Sequence, residues 1–136
     1  MADQIRRVDY CYVEVPDKPG EGVRVLAALK EAGVDLLNFT AFPGAGGKAQ
    51  IDLVAQDGEA LARAAKKAGL TLSARKQAFF VQGQNRPGAA GDVLRKLSDA
   101  KVNVKAANGC AGQGGFGMIV WVAPQDLAAA SRALGL

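Results

Sequence analysis

Residues 8–15 alternate in polarity. Cys11, Val13 and Val15 fall on one side and Tyr10, Tyr12 and Glu14 on the other, the period of a strand with one face more apolar than the other. Pro16-Asp17-Lys18-Pro19-Gly20 breaks the alternation. Val25, Leu26, Leu29 and Ala32 then recur at helical spacing, and Gly33 follows as a helix stop. Residues 34–42 read as a second strand, Pro43-Gly44-Ala45-Gly46-Gly47 as a turn, and residues 48–55 as a third strand with Ile51 and Leu53 on one face. Asp57 opens a second helix whose apolar stripe is Leu61, Ala64, Ala65 and Ala68. Gly69 ends it, and residues 70–76 read as a short fourth strand.

The same order then recurs. At an offset of 68 residues, which sets Pro87 against Pro19, residues 13–55 match residues 81–123 without a gap. Identities include Gly20/Gly88, Val25/Val93, Leu29/Leu97, Val34/Val102, Gly46/Gly114, Ile51/Ile119 and Val54/Val122. The second copy predicts strands at 77–84, 102–110 and 116–123 and helices near 89–101 and 125–134. The chain stops at Leu136, before any counterpart of the fourth strand. A β-α-β-β-α-β order with right-handed crossovers gives an antiparallel sheet with both helices on one face. The expected class is therefore α+β: two ferredoxin-like plaits in tandem, at 1–76 and 77–136, the second lacking its last strand. Either Ile5-Arg6-Arg7 extends the first strand to complete that sheet, or a neighbouring chain does. A core of about 70 residues is marginal alone, so the copies are expected to pack on each other or on another subunit.

Composition narrows the chemistry. The chain has no histidine, which removes the commonest general base near neutral pH and the commonest metal ligand. Cys11 and Cys110 occupy non-equivalent repeat positions and read as buried thiols rather than a disulfide or a zinc cluster. No metal site, cofactor or catalytic group is implied. Asp17 and Asp52 are the candidate bases an enzyme would need, and nothing pairs either with a second reactive group. The net charge of +4 is scattered over helix faces and ends, as on a solvated surface. No apolar run approaches the roughly 20 residues of a membrane span, and the first residues lack the apolar stretch of a signal peptide. The expected setting is the cytoplasm, with no membrane partner.

The duplicated turn carries the remaining chemistry. Asp17-x-Pro19-Gly20 and Asn85-x-Pro87-Gly88 each join a strand to a helix. Asp or Asn there caps the helix by accepting from its first N–H groups, while proline presets the turn and glycine admits close approach. The same geometry suits a free amino acid: unused helix N–H groups attract its carboxylate, and Asp17 or Asn85 accepts from its ammonium.

Asp17-Lys18-Pro19-Gly20 with Gly33-Val34-Asp35-Leu36, and Asn85-Arg86-Pro87-Gly88 with Val102-Asn103-Val104, resemble the ACT domain. From about residue 8 to its end the chain resembles a tandem ACT-domain protein. The resemblance implies a non-enzymatic regulatory module that binds a small molecule, commonly an amino acid, at the seam between domains. It implicates Asp17, Lys18, Gly20, Asn85, Arg86 and Gly88, facing Asp35 and Asn103. It further implies a homodimer, and either a target enzyme on a separate chain or a free-standing sensor. Two departures stand out: Lys101 replaces the glycine found at Gly33, and the last strand is missing.

Two other readings use the same frame. One is a structural dimerisation module without ligand. The other is an RNA-recognition plait, for which Gly115-Phe116-Gly117-Met118-Ile119-Val120-Trp121 and Phe79-Phe80-Val81 resemble the base-stacking stretches. Against RNA, Gly114 stands where a cation belongs, Met118 replaces an aromatic, and the first copy has no aromatic there. Nucleic acid is therefore not an expected partner. Phe80, Phe116 and Trp121 read as core or dimer contacts. The strand around Met118–Val122 is apolar on both faces, as if both were covered.

Overall fold

A computed structural model describes residues 3–136. Met1 and Ala2, with which the first repeat opens, lie outside the described residues. The elements are β1 (Gln4–Pro16), α1 (Glu21–Glu31), β2 (Leu36–Pro43), β3 (Lys48–Ala55), α2 (Gly58–Ala68), β4 (Lys76–Gln84), α3 (Ala89–Asp99), β5 (Val104–Gly112), β6 (Gly115–Val122), a single 3-10 turn (Pro124–Asp126) and α4 (Leu127–Ala133). This is the α+β order of two plaits in tandem. Strands β2 and β5 begin two residues later than the apolar pattern implies. The N–H groups of Val34 and Val102 are spent closing the preceding helices onto Leu29 O and Leu97 O, both at 2.9 Å.

Contacts divide the chain into two compact units, Asp9–Lys76 and the residues up to Val8 together with Gln77–Leu136. In the first, β3 pairs antiparallel with both β1 and β2, with Val13 opposite Ile51 and Phe39 opposite Leu53. The period of two turns Cys11, Val13, Val15, Ile51 and Leu53 to one face. There Val25 and Leu29 of α1 and Leu61 and Ala64 of α2 close over them. Burying each large aliphatic contributes about 1.5–3 kcal/mol, so this one-sided stripe is what fixes both helices to the same face. Helix α2 starts at Asp57, whose carboxylate accepts from the N–H groups of Glu59 at 3.0 Å and Ala60 at 3.2 Å.

The fourth strand expected at 70–76 does not form as such: residues 70–75 carry no regular structure. Leu70 and Leu72 still pack against the core. The physical reason lies at Ser73. Its N–H donates to Tyr12 O at 2.8 Å, but Tyr12 N–H donates to the Ser73 hydroxyl at 2.9 Å rather than to a carbonyl. A side chain has taken the backbone's place, so the ladder does not propagate.

The second unit repeats the packing. Strand β6 pairs antiparallel with β4 and β5, with Phe79 opposite Val120. Phe79, Val81, Met118, Val120 and Val122 face Val93 and Leu97 of α3 and Ala130 of α4. The place beside β4 is taken by the first residues of β1. Strand β1 neighbours β4 as well as β3. Ile5 packs into this second core, Arg6 lies 5.4 Å from the centre of the Phe80 ring, and Arg7 donates to Gln77. Of the two sources the sequence left open, Ile5-Arg6-Arg7 completes the sheet. Ile119, Val120 and Trp121 are all buried, so both faces of β6 are covered as its two-sided apolar pattern implies.

Candidate functional site

Both turns place glycine where left-handed backbone is required. Gly20 has φ 91° and Gly88 φ 84°, and each is the N-cap of its helix with no side chain bonded to the helix N–H groups. The capping role expected of Asp17 and Asn85 is therefore corrected. The Pro-Gly step already turns the chain, and the cap position falls three residues past the Asp or Asn. Asp17 and Lys18 are exposed, with their N–H groups bonded to Gly47 O and Pro16 O, both at 2.9 Å.

In the second repeat the turn borders a groove of about 400 Å³. One wall is Asn85, Arg86, Gly88, Ala89, Ala90 and Gly91; the other is Gly109, Cys110 and Ala111 of β5 with Phe116 of β6. The first helical bond of α3 runs from Asp92 N–H to Gly88 O, so the N–H groups of Ala90 and Gly91 precede it. The groove thus has a helix start with positive potential along one side and small, mainly apolar residues opposite. Arg86 spans its rim. It donates to Asp3 at 3.2 and 3.4 Å and to Asp92 at 3.1 Å. The hydrogen bond to Asp3, and next that to Asp92, raise the guanidinium above its ordinary pKa.

Asn85, Arg86 and Gly88 are brought together here. Asn103 is not: it precedes β5, whose other end lines the groove, roughly 20 Å along the strand. Asp35 stands in the same relation to Asp17, because the Asp17 turn bonds to Gly47 in the β2–β3 hairpin and Asp35 precedes the opposite end of β2. The apolar wall escaped the sequence reading, although β5 is a run of small residues (Ala106, Ala107, Gly109, Ala111, Gly112) whose thinness is visible in the chain itself. Cys110, expected to be buried, is exposed on this wall. Edge strand β5 has one neighbour, β6, so its side chains have less to pack against. Cys11 is buried, and burial pushes its thiol pKa up.

Positions equivalent to the groove differ in the first repeat: Val23 for Gly91, Phe42 for Cys110 and Lys48 for Phe116. Val23 is 72% exposed, Phe39 51% and Phe42 41%. The aromatics of the RNA reading are placed otherwise. Phe80 and Trp121 are buried and cannot stack on bases.

No family model matches the sequence, and no curated protein is detectably similar to it. Solved structures are similar in fold. A protein of Bacteroides thetaiotaomicron superposes with a TM-score of 0.81 at 16% identity, over 96% of this chain and 88% of that one. The regulatory subunit of aspartate kinase from Thermus thermophilus, in a ligand-free form, gives 0.65 at 16% identity over 97% and 93%. That from Thermus flavus gives 0.61 at 18% over 98% and 93%. The fold is that of tandem ACT domains. That fold accounts for the repeat and for the strand–turn–helix junctions at Gly20 and Gly88. Among the described residues, no helix is long and apolar enough to cross a membrane, and no group of three His, Cys, Asp or Glu could hold a metal ion.

Proposed function

We propose that this chain is a non-enzymatic regulatory module that binds an amino acid in the groove of its second repeat. The observation that carries the reading is the convergence of Asn85, Arg86, Gly88, Ala90 and Gly91, at the start of a helix, on one groove of about 400 Å³. That volume lies within the range of small-ligand sites. The helix start suits the ligand's carboxylate and the Asn85 amide oxygen its ammonium. Similarity in fold to aspartate kinase regulatory subunits supports a regulatory role. Ligand binding would favour one quaternary arrangement over another by population shift.

A thermal-shift screen against the twenty amino acids tests this. Ligand at 100 times its Kd stabilises by about 2.7 kcal/mol. Asn85→Ala should weaken the shift, and Asp17→Ala should do so only if the first repeat also binds. No shift with any amino acid at millimolar concentration would reject the reading.

The second reading, a dimerisation surface, rests on a different observation. Val23, Phe39 and Phe42 are exposed on α1 and the edge strand β2, Phe39 and Phe42 on opposite faces of that strand, and an unpaired apolar edge suits pairing with a second chain. Sedimentation should give a homodimer that Phe42→Asp dissociates; a monomeric parent would rule it out.

A further inference from the structure

Arg86 stands at the groove with its guanidinium already occupied. Nη1 lies 3.2 Å from Asp3 Oδ1 and Nη2 3.4 Å from Oδ2, a fork-to-fork pairing, and Nη2 also donates to Asp92 Oδ2 at 3.1 Å. The two carboxylates are not alike. The Asp92 side chain is 61% exposed, a rim group, whereas that of Asp3 is only 9% exposed. Gly83 makes the space for it. A Cβ on Gly83 would lie 2.1 Å from Asp3 Oδ1 and 2.9 Å from the Phe116 ring, whose other surroundings include the groove. A nearly buried carboxylate, carried in by the residue just before β1, is thus seated between a glycine notch and the one cation of the groove.

We propose that Arg86 is a carboxylate subsite whose resting occupant is Asp3, and that the ligand of the second repeat is an acidic amino acid whose side-chain carboxylate displaces it. The inference rests on the reading that this groove binds an amino acid. The internal pairing shows the group Arg86 is oriented to take. The exchange replaces one carboxylate by another while Asp92 stays in place, so the charge around the guanidinium is unchanged and no new ion is buried unpaired. The ligand's α-carboxylate is left to the Ala90 and Gly91 N–H groups. Release of Asp3 loosens residues 4–8, which complete the second sheet. Because the same strand continues as the first strand of the other unit, occupancy of the groove is converted into a change in β1.

The test uses the full chain, with L-glutamate, L-aspartate and L-alanine as probes in titration calorimetry. Asp3→Asn should bind glutamate or aspartate tighter than the parent by about five-fold or more, the lower range of allosteric coupling. Gly83→Ala should do the same, since it expels Asp3 without altering Arg86. Arg86→Gln should lose the preference over alanine. Hydrogen exchange of residues 4–8 in the parent should accelerate on binding. If the parent binds an acidic amino acid but Asp3→Asn and Gly83→Ala leave its affinity unchanged, the displacement is overturned. If the parent binds alanine as tightly as glutamate and aspartate, the subsite is overturned while the functional reading stands. Binding of no amino acid by the parent or by Asp3→Asn would overturn both.

Discussion

Replacing Lys101 by glycine should stabilise the protein. Four helices end in the same way: the residue after the cap region turns left-handed, and two N–H groups reach back to orphan carbonyls. In α1 the N–H of Gly33 donates to Lys30 O and that of Val34 to Leu29 O; in α3 the N–H of Lys101 donates to Ser98 O and that of Val102 to Leu97 O, all at 2.9 Å. Helices α2 and α4 close similarly through Gly69 and Gly135. The left-handed residue is glycine in three of these ends, with φ 73°, 72° and 83°, and lysine in the fourth, with φ 60°. Lys101 is the one non-glycine residue with positive φ among the described residues. A side chain there costs about 1–2 kcal/mol through the clash of Cβ with the following carbonyl. Glycine restores that but widens the unfolded ensemble, an offset of about 0.5–1 kcal/mol. The net expectation for Lys101→Gly is a gain of about 0.5–1 kcal/mol.

Urea denaturation is the assay. The midpoint should rise with the slope unchanged, since the exposed surface is unaltered. The converse substitution, Gly33→Ala, meets no atom within 4 Å of its new Cβ. Its cost of about 1 kcal/mol is therefore backbone strain less the same unfolded-state offset, with no steric clash added, which calibrates the first number within the same protein. A lower midpoint for Lys101→Gly would refute the reasoning. It would mean that the lysine side chain contributes more than its backbone conformation costs, and that equivalent helix ends in the two repeats are held by different forces.

Asp57→Ala should cost about 1 kcal/mol, because it removes a side chain that accepts from two helix N–H groups, and equilibrium unfolding will measure it. Asp17→Ala should stay within about 0.5 kcal/mol in the same experiment, because no side chain caps α1. Asp52 is buried on β3, its Oδ1 accepting from Gln50 Nε2 at 2.8 Å. Desolvation raises its pKa above the ordinary 3.8, with the Gln50 hydrogen bond and Lys76 opposing. The folded state thus holds the proton more tightly than the unfolded chain. The associated stability is present in full below pH 3.8 and is lost as pH rises through the raised value. Asp52→Asn should flatten that dependence and raise the thermal midpoint at pH 7; a lowered midpoint would show that the carboxylate is stabilised as an anion.

The sheet and helix pattern was legible because it is written locally and twice. Alternation at Cys11, Val13 and Val15 sets a buried face without reference to anything distant, and the offset of 68 residues checks each element against its copy. What failed was local inference at places where a distant group intervenes. Residues 70–76 look like a strand, and a serine hydroxyl bonding to Tyr12 N–H unmakes it. Asp17 and Asn85 look like helix caps, and the Pro-Gly turn moves the cap to Gly20 and Gly88.

The candidate site shows the same division between local and distant causes. The turn Asn85-Arg86-Pro87-Gly88 announces itself by repetition, but a motif fixes only one wall. The other wall is β5, brought alongside by pairing with β6, and its residues are notable for being small, a property that carries no chemical signature until a partner surface defines the gap. Asp3 is the extreme case. It lies 83 residues from Arg86, and its seat depends on the missing side chain of Gly83. Residues 4–8 lie beside β4. Their packing there brings the Asp3 carboxylate to the cation of the groove. The second turn thus carries a tethered anion, and the difference between the two turns lies in a contact made from the start of β1, 83 residues away, which no local motif announces.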